Sequence, residues 1–590
     1  MTAQAAVIQT SRFCVRVLAS RPKIFSVWSQ RSPTARRSLS IAGNYKTPKP
    51  FNEPNLHYAP SSAEREKVVA ALQDLRPRLP VYVPTIRNGE EVAAESSQAH
   101  AETYMPSETS SVFAKYTPAT EADVSSAIEA ALKAKKTWQD TPFVDRAAIF
   151  LRAAELVTKK YRFEIMAATM LGQGKNAWQA EIDAAAELAD FFRFNVSFAE
   201  EIYSRQPTLN ERGQAGRTDW RPLEGFVYAI SPFNFTAIGG NLISGPALLG
   251  NVVLWKPSPS NIYASYLVYK ILREAGLPAN VIQFIGGDAE LVTKVVLTHR
   301  DLAAINFTGS SDVFRSLYGA VADGVRHKRY RDFPRLVAET SGKNFHLVHR
   351  SADIGNAVKH TIRASFEYAG QKCSACSRIY IPQSRAGEFF AQIKQELRHV
   401  KVGPPEDFAS FTGPVIHRAA FDKIAAAIDA ANTDDRLDLV VGGHYDGSQG
   451  LYIAPTIYAA RTPDHPLFDQ ELFGPVLVAY VYPDADFDSS LLLSQIDAHG
   501  GGFALTGAIF ATDAHAIRAA EDALRYAAGN FYTNCKTTGA VIGQQPFGGA
   551  RGSGTNDKAG SAGMMMRFTA PRTLKEEYHP LDRVLYPSNA

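Results

Sequence analysis

Between residues 225 and 311, short unbroken apolar runs alternate with longer stretches of helical spacing, and few folds tolerate that pattern. Residues 225–230, 252–256, 281–285 and 303–307 are continuous and rich in β-branched and aromatic side chains. Strands of that kind are buried on both faces. Helical spacing predicts helices over 238–249, 263–275 and 290–298 between them. The rhythm demands a parallel sheet covered on both sides, a doubly wound domain of the dinucleotide-binding type. Ligands in such sheets sit beyond the carboxyl ends of the strands. Weight therefore falls on the residues that end them.

The rest of the chain supplies partners. Residues 51–120 mix Pro, Ser and charge, and an extended arm with short strands is expected, 81–86 among them. Helical patterns follow at 121–138, 143–160, 162–171 and 177–204. A second alternation opens with strand 336–339 and helix 352–368, then strand 378–381. It continues through helices 386–400 and 418–432, with strands at 437–442, 455–458, 476–482 and 526–533. A Gly-rich tract, 539–560, precedes a strand-like tail, 564–586, suited to docking on a partner subunit.

Composition excludes several classes. With 45% hydrophobic and 21% charged residues, the chain has a large core, and four cysteines in 590 residues argue for a reducing compartment. No run of about 18 apolar residues occurs, so no membrane span is expected. The net charge of +4 hides an asymmetry. Residues 1–50 carry nine Lys and Arg and no acid; without them 54 basic residues face 59 acidic ones, a net of −5. The body therefore offers no basic stripe for nucleic acid. The acid-free start, with Phe13, Val15, Ile24, Phe25 and Trp28 among its arginines, has the composition of a mitochondrial transit peptide, processed near 36–41. A basic disordered tail is the plainer alternative.

Four residues stand out chemically. Cys373 lies in Gly370-Gln-Lys-Cys-Ser-Ala-Cys376, between Lys372 and Arg378, whose charges should lower a thiol pKa. Read alone, it is as readily a small core residue or half of a CxxC pair. Zinc would need further ligands that the solitary Cys14 and Cys535 do not supply. Glu339 ends an apolar strand, where partial burial raises a carboxylate toward general-base range; a salt-bridged structural Glu is the alternative. Asn234 follows a buried strand and could donate to an oxyanion or close an Asx turn. Lys256 ends the next strand. The turn Gly309-Ser310-Ser311 opens a helix and could hold a phosphate.

These residues fall within motifs that resemble the aldehyde dehydrogenase superfamily over about residues 60–575: Ser231-Pro-Phe-Asn-Phe235, Trp255-Lys-Pro-Ser258, Asn306-Phe-Thr-Gly-Ser310, Glu339-Thr-Ser-Gly-Lys343, Gly370-Gln-Lys-Cys373, Glu471-Leu-Phe-Gly-Pro475 and Pro546-Phe-Gly-Gly549. The resemblance implies an α/β fold with a Rossmann-type NAD-binding domain, an α/β catalytic domain and a small strand-based oligomerisation element. It implies Cys373 as nucleophile rather than Cys376, Glu339 as general base and Asn234 as oxyanion donor. It implies NAD contacts from Ser231, Lys256, Gly309, Ser310, Glu471 and Phe473. Further cues, Ala180-Glu-Ile-Asp-Ala-Ala-Ala-Glu187 and Gly543-Gln-Gln-Pro-Phe-Gly-Gly-Ala-Arg551 among them, resemble the members that oxidise glutamate γ-semialdehyde. For that substrate Ser374 and the Gly539-Ala540 backbone would hold the α-carboxylate, and Phe235 and Phe547 would pack the methylenes. Two departures matter. Ala540 stands where animal members carry Ser, and Pro259 where many NAD-using members carry Glu, which leaves exclusion of NADP open. The expected division is a transit peptide over 1–40, an arm and NAD-binding domain over 41–335 with an oligomerisation hairpin near 205–222, a catalytic domain over 336–555, and an oligomerisation tail over 556–590. A homodimer or higher homo-oligomer is implied.

Overall fold

The computed structural model describes residues 46–92 and 100–589. The transit-peptide segment expected over 1–40 lies outside them. Thr47–Ala590 forms one compact unit built on two sheets.

The first sheet has five parallel strands. Its spatial order is Arg335–Glu339, Leu302–Thr308, Phe226–Ile230, Val252–Lys256, Ile282–Phe284. Strand order reverses between Leu302–Thr308 and Phe226–Ile230. That opens the crevice where open α/β sheets bind ligands. Ser231 and Asn234 follow one of these strands, and Gly309 and Ser310 the other. Helix Thr236–Leu248 leaves the first of them; it is buried on nearly every side, which its Gly, Ala and Ser content permits.

The second sheet has seven strands in the order Leu437–Val441, Thr456–Ala460, Val476–Tyr482, Cys376–Pro382, Asn344–Val348, Thr506–Phe510, Asn530–Thr533. All neighbours are parallel except the edge pair Leu437–Val441 with Thr456–Ala460.

Three expectations change. Strand Arg335–Glu339 does not open the second block. It pairs in parallel with Leu302–Thr308, Thr308 opposite Glu339, so a boundary at 335/336 would cut the first sheet. No hairpin forms within 205–222. Gln214–Pro222 instead pairs antiparallel with Thr569–Glu577, from near the end of the chain. Ala63–Leu75, within the expected arm, is a helix capped by the Ser62 side chain, with Val68, Leu72 and Leu75 buried on one face. The arm itself, from 46 to 59, has no regular structure.

The helical region before the first sheet contains two π-helical stretches, Leu156–Lys160 and Glu181–Glu187. Such widened turns recur at functional sites. The second one forms a wall of the cavity described next.

Candidate active site

One cavity of about 580 Å³ lies between the sheets, within the range usual for small-molecule sites. Cys373, Glu339, Ser374, Gly539, Ala540, Phe235 and Phe547 all line it. Asn234, Ser231, Lys256, Gly309 and Ser310 do not. Glu471 and Phe473 line a smaller pocket with Gly342 and Lys343, on the other side of the Cys loop; Lys372 borders both.

The Cys loop is held from several sides. Tyr368 (φ 53°), Ala369 (φ 52°) and Gly370 (φ 67°) are consecutive left-handed residues. A side chain at Gly370 would meet the Gly474 carbonyl at 2.4 Å. Left-handed non-glycine residues cost about 1–3 kcal/mol each, and the surroundings must over-determine them. Here Tyr368 donates its hydroxyl proton to the Gln173 carbonyl (2.9 Å), and the Gln371 side chain bonds to the Tyr368 and Pro414 carbonyls and to the Ile416 N–H. Asn344 finishes the clamp. Its amide donates to the carbonyls of Cys373 (2.7 Å) and Ala375 (2.8 Å), and its oxygen accepts from Thr506 N–H.

The expectation that Lys372 and Arg378 lower the thiol pKa fails. The Lys372 ammonium pairs with Glu367 (2.9 Å), and the Arg378 guanidinium donates to the carbonyls of Lys343, Ile496 and His499. Burial, then the charges of Glu339 and Glu471, push the Cys373 thiol up to about 12, with the Ser374 N–H acting the other way. Cys376 is 1% exposed and packs in the core beside Val348, Phe366 and Ile379.

Glu339 is pushed up to about 8, chiefly by burial. Its carboxylate accepts from the Gly549 N–H (2.9 Å), and a Cβ on Gly548 would lie 2.5 Å from its Oε1. The two glycines of Pro546-Phe-Gly-Gly549 thus make the seat for this carboxylate. Asn234 is 4% exposed and donates one amide proton to the Gln371 carbonyl (3.0 Å), two residues before Cys373. Its second N–H remains for a ligand. The helix that follows Asn234 is fixed by Asp183, whose carboxylate accepts from the N–H groups of Thr236 (3.0 Å) and Ala237 (2.8 Å). Asp183 in turn pairs with the fully buried Lys175 (2.7 Å), whose ammonium lies 4.0 Å from the Phe235 ring centre.

At the strand ends of the first sheet, Lys256 is 5% exposed and has no ion-pair partner among the described residues; burial lowers it to about 8. The Ser231 hydroxyl accepts from the Trp255 indole (2.9 Å). Ser310 caps helix Ser311–Arg326, and the Gly309 N–H donates to the Glu339 carbonyl (3.2 Å). The Glu471 carboxylate accepts from Gly342 N–H (2.7 Å). A buried ammonium with no ion-pair partner among the described residues and a Ser310-capped helix N-terminus, both at carboxyl ends of strands of one sheet, fit an anionic dinucleotide such as NAD.

Sequence reasoning missed three polar groups in the cavity. Glu187, at the end of the π-helical stretch, is raised to about 8 by burial and then by Asp183, and has no ion-pair partner among the described residues. Lys536 shares Glu367 with Lys372, binding both its oxygens at 3.1 Å. Two cations on one carboxylate hold Glu367 down at about 2 and leave a positive excess near Ser374. The third group is the arm segment 52–55. Glu187 closes the Ala180–Glu187 motif, but its exposure to a cavity has no signature in spacing.

The family model for the aldehyde dehydrogenase family matches residues 92–574. A mitochondrial delta-1-pyrroline-5-carboxylate dehydrogenase of Emericella nidulans is 55% identical over 571 residues, covering 96% of this chain and 98% of the relative. The enzyme of that name from Homo sapiens is 47% identical over 567 residues, covering 96% and 97%. A crystal structure of the Mycobacterium tuberculosis Delta-pyrroline-5-carboxylate dehydrogenase bound with NAD superposes with a TM-score of 0.88 at 43% identity, covering 93% of this chain and all of that one.

Proposed function

The chain belongs to the aldehyde dehydrogenase family, and on that footing we propose that it oxidises L-glutamate γ-semialdehyde, the open form of 1-pyrroline-5-carboxylate, to L-glutamate with NAD, in proline catabolism. The observation that carries the substrate is the polarity of the cavity. Cys373 and Glu339 stand with Ser374, Lys372, Lys536, Glu187 and the Gly539-Ala540 loop around one space. A carboxylate suits the loop N–H groups, the Ser374 hydroxyl and the excess lysine charge. An ammonium suits Glu187, which would ionise on pairing with it.

The chemistry follows from the residues. The Cys373 sulfur attacks the aldehyde carbon, and its proton leaves to a base; the carbonyl oxygen becomes an oxyanion held by the Asn234 amide and the Cys373 N–H. Bound NAD would supply the hydride acceptor, and loss of hydride from that carbon would leave a thioester on Cys373. Glu339 then takes a proton from water, whose oxygen attacks the thioester and releases glutamate and the thiol. Lys256, Glu471, Ser231, Ser310, Gly309 and Phe473 are the residues to hold NAD, and Phe235 and Phe547 flank the substrate methylenes.

The chain is mitochondrial, in keeping with the relatives so named and the acid-free first fifty residues; we place it in the matrix. No helix among the described residues is long and apolar enough to cross a membrane. The ribbon of Gln214–Pro222 with Thr569–Glu577 leads to a tail on which Tyr578, Leu581, Val584 and Leu585 are exposed, and we assign both to a homo-oligomer contact. The decisive measurement is NADH formation. Hydrogen bonds to charged groups contribute about 1.5–3 kcal/mol each. The semialdehyde should therefore exceed pentanal in kcat/KM by about 10²-fold or more; equal values would sink the substrate assignment while leaving the family untouched.

A further inference from the structure

Resting on that substrate, we infer that the irregular arm over residues 47–58 is the outer wall of the substrate site, and that Asn52 is a positioning residue for the loop that grips the amino-acid end. The arm has neither helix nor strand to satisfy its backbone, so its fastenings must come from side chains elsewhere. They come chiefly from the segment that forms the cavity wall. The Glu53 N–H donates to Asp190 (2.7 Å) and the Leu56 N–H to Glu181 (2.9 Å). The Thr47 N–H donates to Glu200 (2.8 Å), and the Tyr58 hydroxyl donates to Glu181 (2.6 Å). Arg162 and Arg193 grip the Glu53 carboxylate at 2.7 and 2.9 Å, and Arg162 also bonds to the Pro54 carbonyl. Tyr58 is 4% exposed and anchors the end of the arm in the core.

So fastened, the arm places Asn52, Glu53, Pro54 and Asn55 on the cavity lining. Asn52 does more than line it. Its amide nitrogen donates to Asp190 (2.8 Å) and to the Ile542 carbonyl (2.8 Å), and its oxygen accepts from Gln544 (3.0 Å). Both amide protons and the oxygen are thus engaged, which assigns Asn52 to tying rather than to touching substrate. The two tied elements are the cavity-wall helix and the loop that runs on from Gly539 and Ala540. Within that loop the ties are local, Val541 N–H to the Gln545 side chain and the Gln544 and Gln545 N–H groups to the Val541 carbonyl, with Ile542 set into the core; the loop carries the N–H donors for the α-carboxylate. Letting it swing would spare the thiol and its base, and weaken the grip on the charged end alone.

The experiment compares the semialdehyde with pentanal in the full-length holoenzyme. Asn52→Ala should lower the ratio of their kcat/KM values about tenfold, through KM for the semialdehyde. Gln544→Ala, an exposed residue that removes one of the three bonds, should lower it about threefold and keeps the inference open to test if Asn52→Ala folds poorly. A KM change of that kind, confined to one substrate, is not what general destabilisation produces. An unchanged ratio in the folded variants would overturn the inference. A ratio near one in the unmutated enzyme would bring down the substrate assignment first, and this inference with it.

Discussion

The two sheets hold their candidate residues at opposite strand ends, and Glu339 from the first and Cys373 from the second meet at the one cavity. The first sheet delivers residues from the carboxyl ends of its strands: Asn234 after Phe226–Ile230, Lys256 at the end of Val252–Lys256, Ser310 after Leu302–Thr308, and Glu339 closing Arg335–Glu339. In the second sheet Gly342, Cys373 and Glu471 all lie just before strands, at their amino ends. The first arrangement obeys the general rule for open α/β sheets. The second has no such rule behind it. Its proposed nucleophile, Cys373, is held by a strained turn and the Asn344 clamp, half-buried at the cavity with its thiol pushed up by burial. One sheet offers a ready binding edge, the other a restrained reagent.

Removing the reagent should have the largest effect. Cys373→Ala should lower kcat by more than about 10⁴-fold, with NAD binding by fluorescence titration retained because the first sheet is untouched. Loss of both together would erase the division of labour. Glu339 belongs to the first sheet yet serves the second, so Glu339→Gln should slow turnover about 10²- to 10³-fold while leaving a burst of NADH in stopped flow. A missing burst would mean that Glu339 also takes the thiol proton, which a thiol near 12 beside a carboxyl near 8 makes a pointed question. The sign of the pH effect is fixed: the base acts deprotonated, so thioester hydrolysis should rise with pH through about 8, and Glu339→Gln should flatten that limb. On the binding edge, Lys256→Ala should raise KM for NAD about tenfold or more, since bonds to charged groups contribute about 1.5–3 kcal/mol, with the burst amplitude at saturating NAD kept. The smallest effect is expected at Cys376. Cys376→Ser should keep kcat within about threefold, because that thiol faces the core; an aldehyde-mimicking alkylator that labels Cys376 and spares Cys373 would reverse the assignment.

The same contrast explains what could be read from sequence. The first sheet was legible because its strands are continuous apolar runs, and the rule for strand ends then picked out Lys256 and Glu339. Which sheet Arg335–Glu339 joins was not legible, since a buried parallel strand reads alike in either. The motif pointed to Cys373 but misjudged its surroundings. Lys372 stands next to it in sequence, yet its ammonium turns to Glu367, five residues back, through a turn that spacing does not encode. Gln214–Pro222 is polar and half-exposed, and its partner comes only at the end of the chain. Glu187 and the arm owe their place to packing between segments more than 100 residues apart.

Strand Arg335–Glu339 is the edge of the first sheet, and its free side is closed by a very late piece of chain. Thr555 N–H bonds to the Ala338 carbonyl (2.9 Å), Thr340 N–H bonds to the Ser553 carbonyl (2.9 Å), and Gly554 bridges Glu339. An uncovered edge strand invites pairing with other chains. All five strands of the first sheet precede residue 340 in the chain, whereas the segment 548–555 that both seals the edge and seats the Glu339 carboxylate is made late. A chain lacking this segment would lose the seat of the Glu339 carboxylate and the cover of the sheet edge together, so one docking event ties the proposed base to protection of the edge.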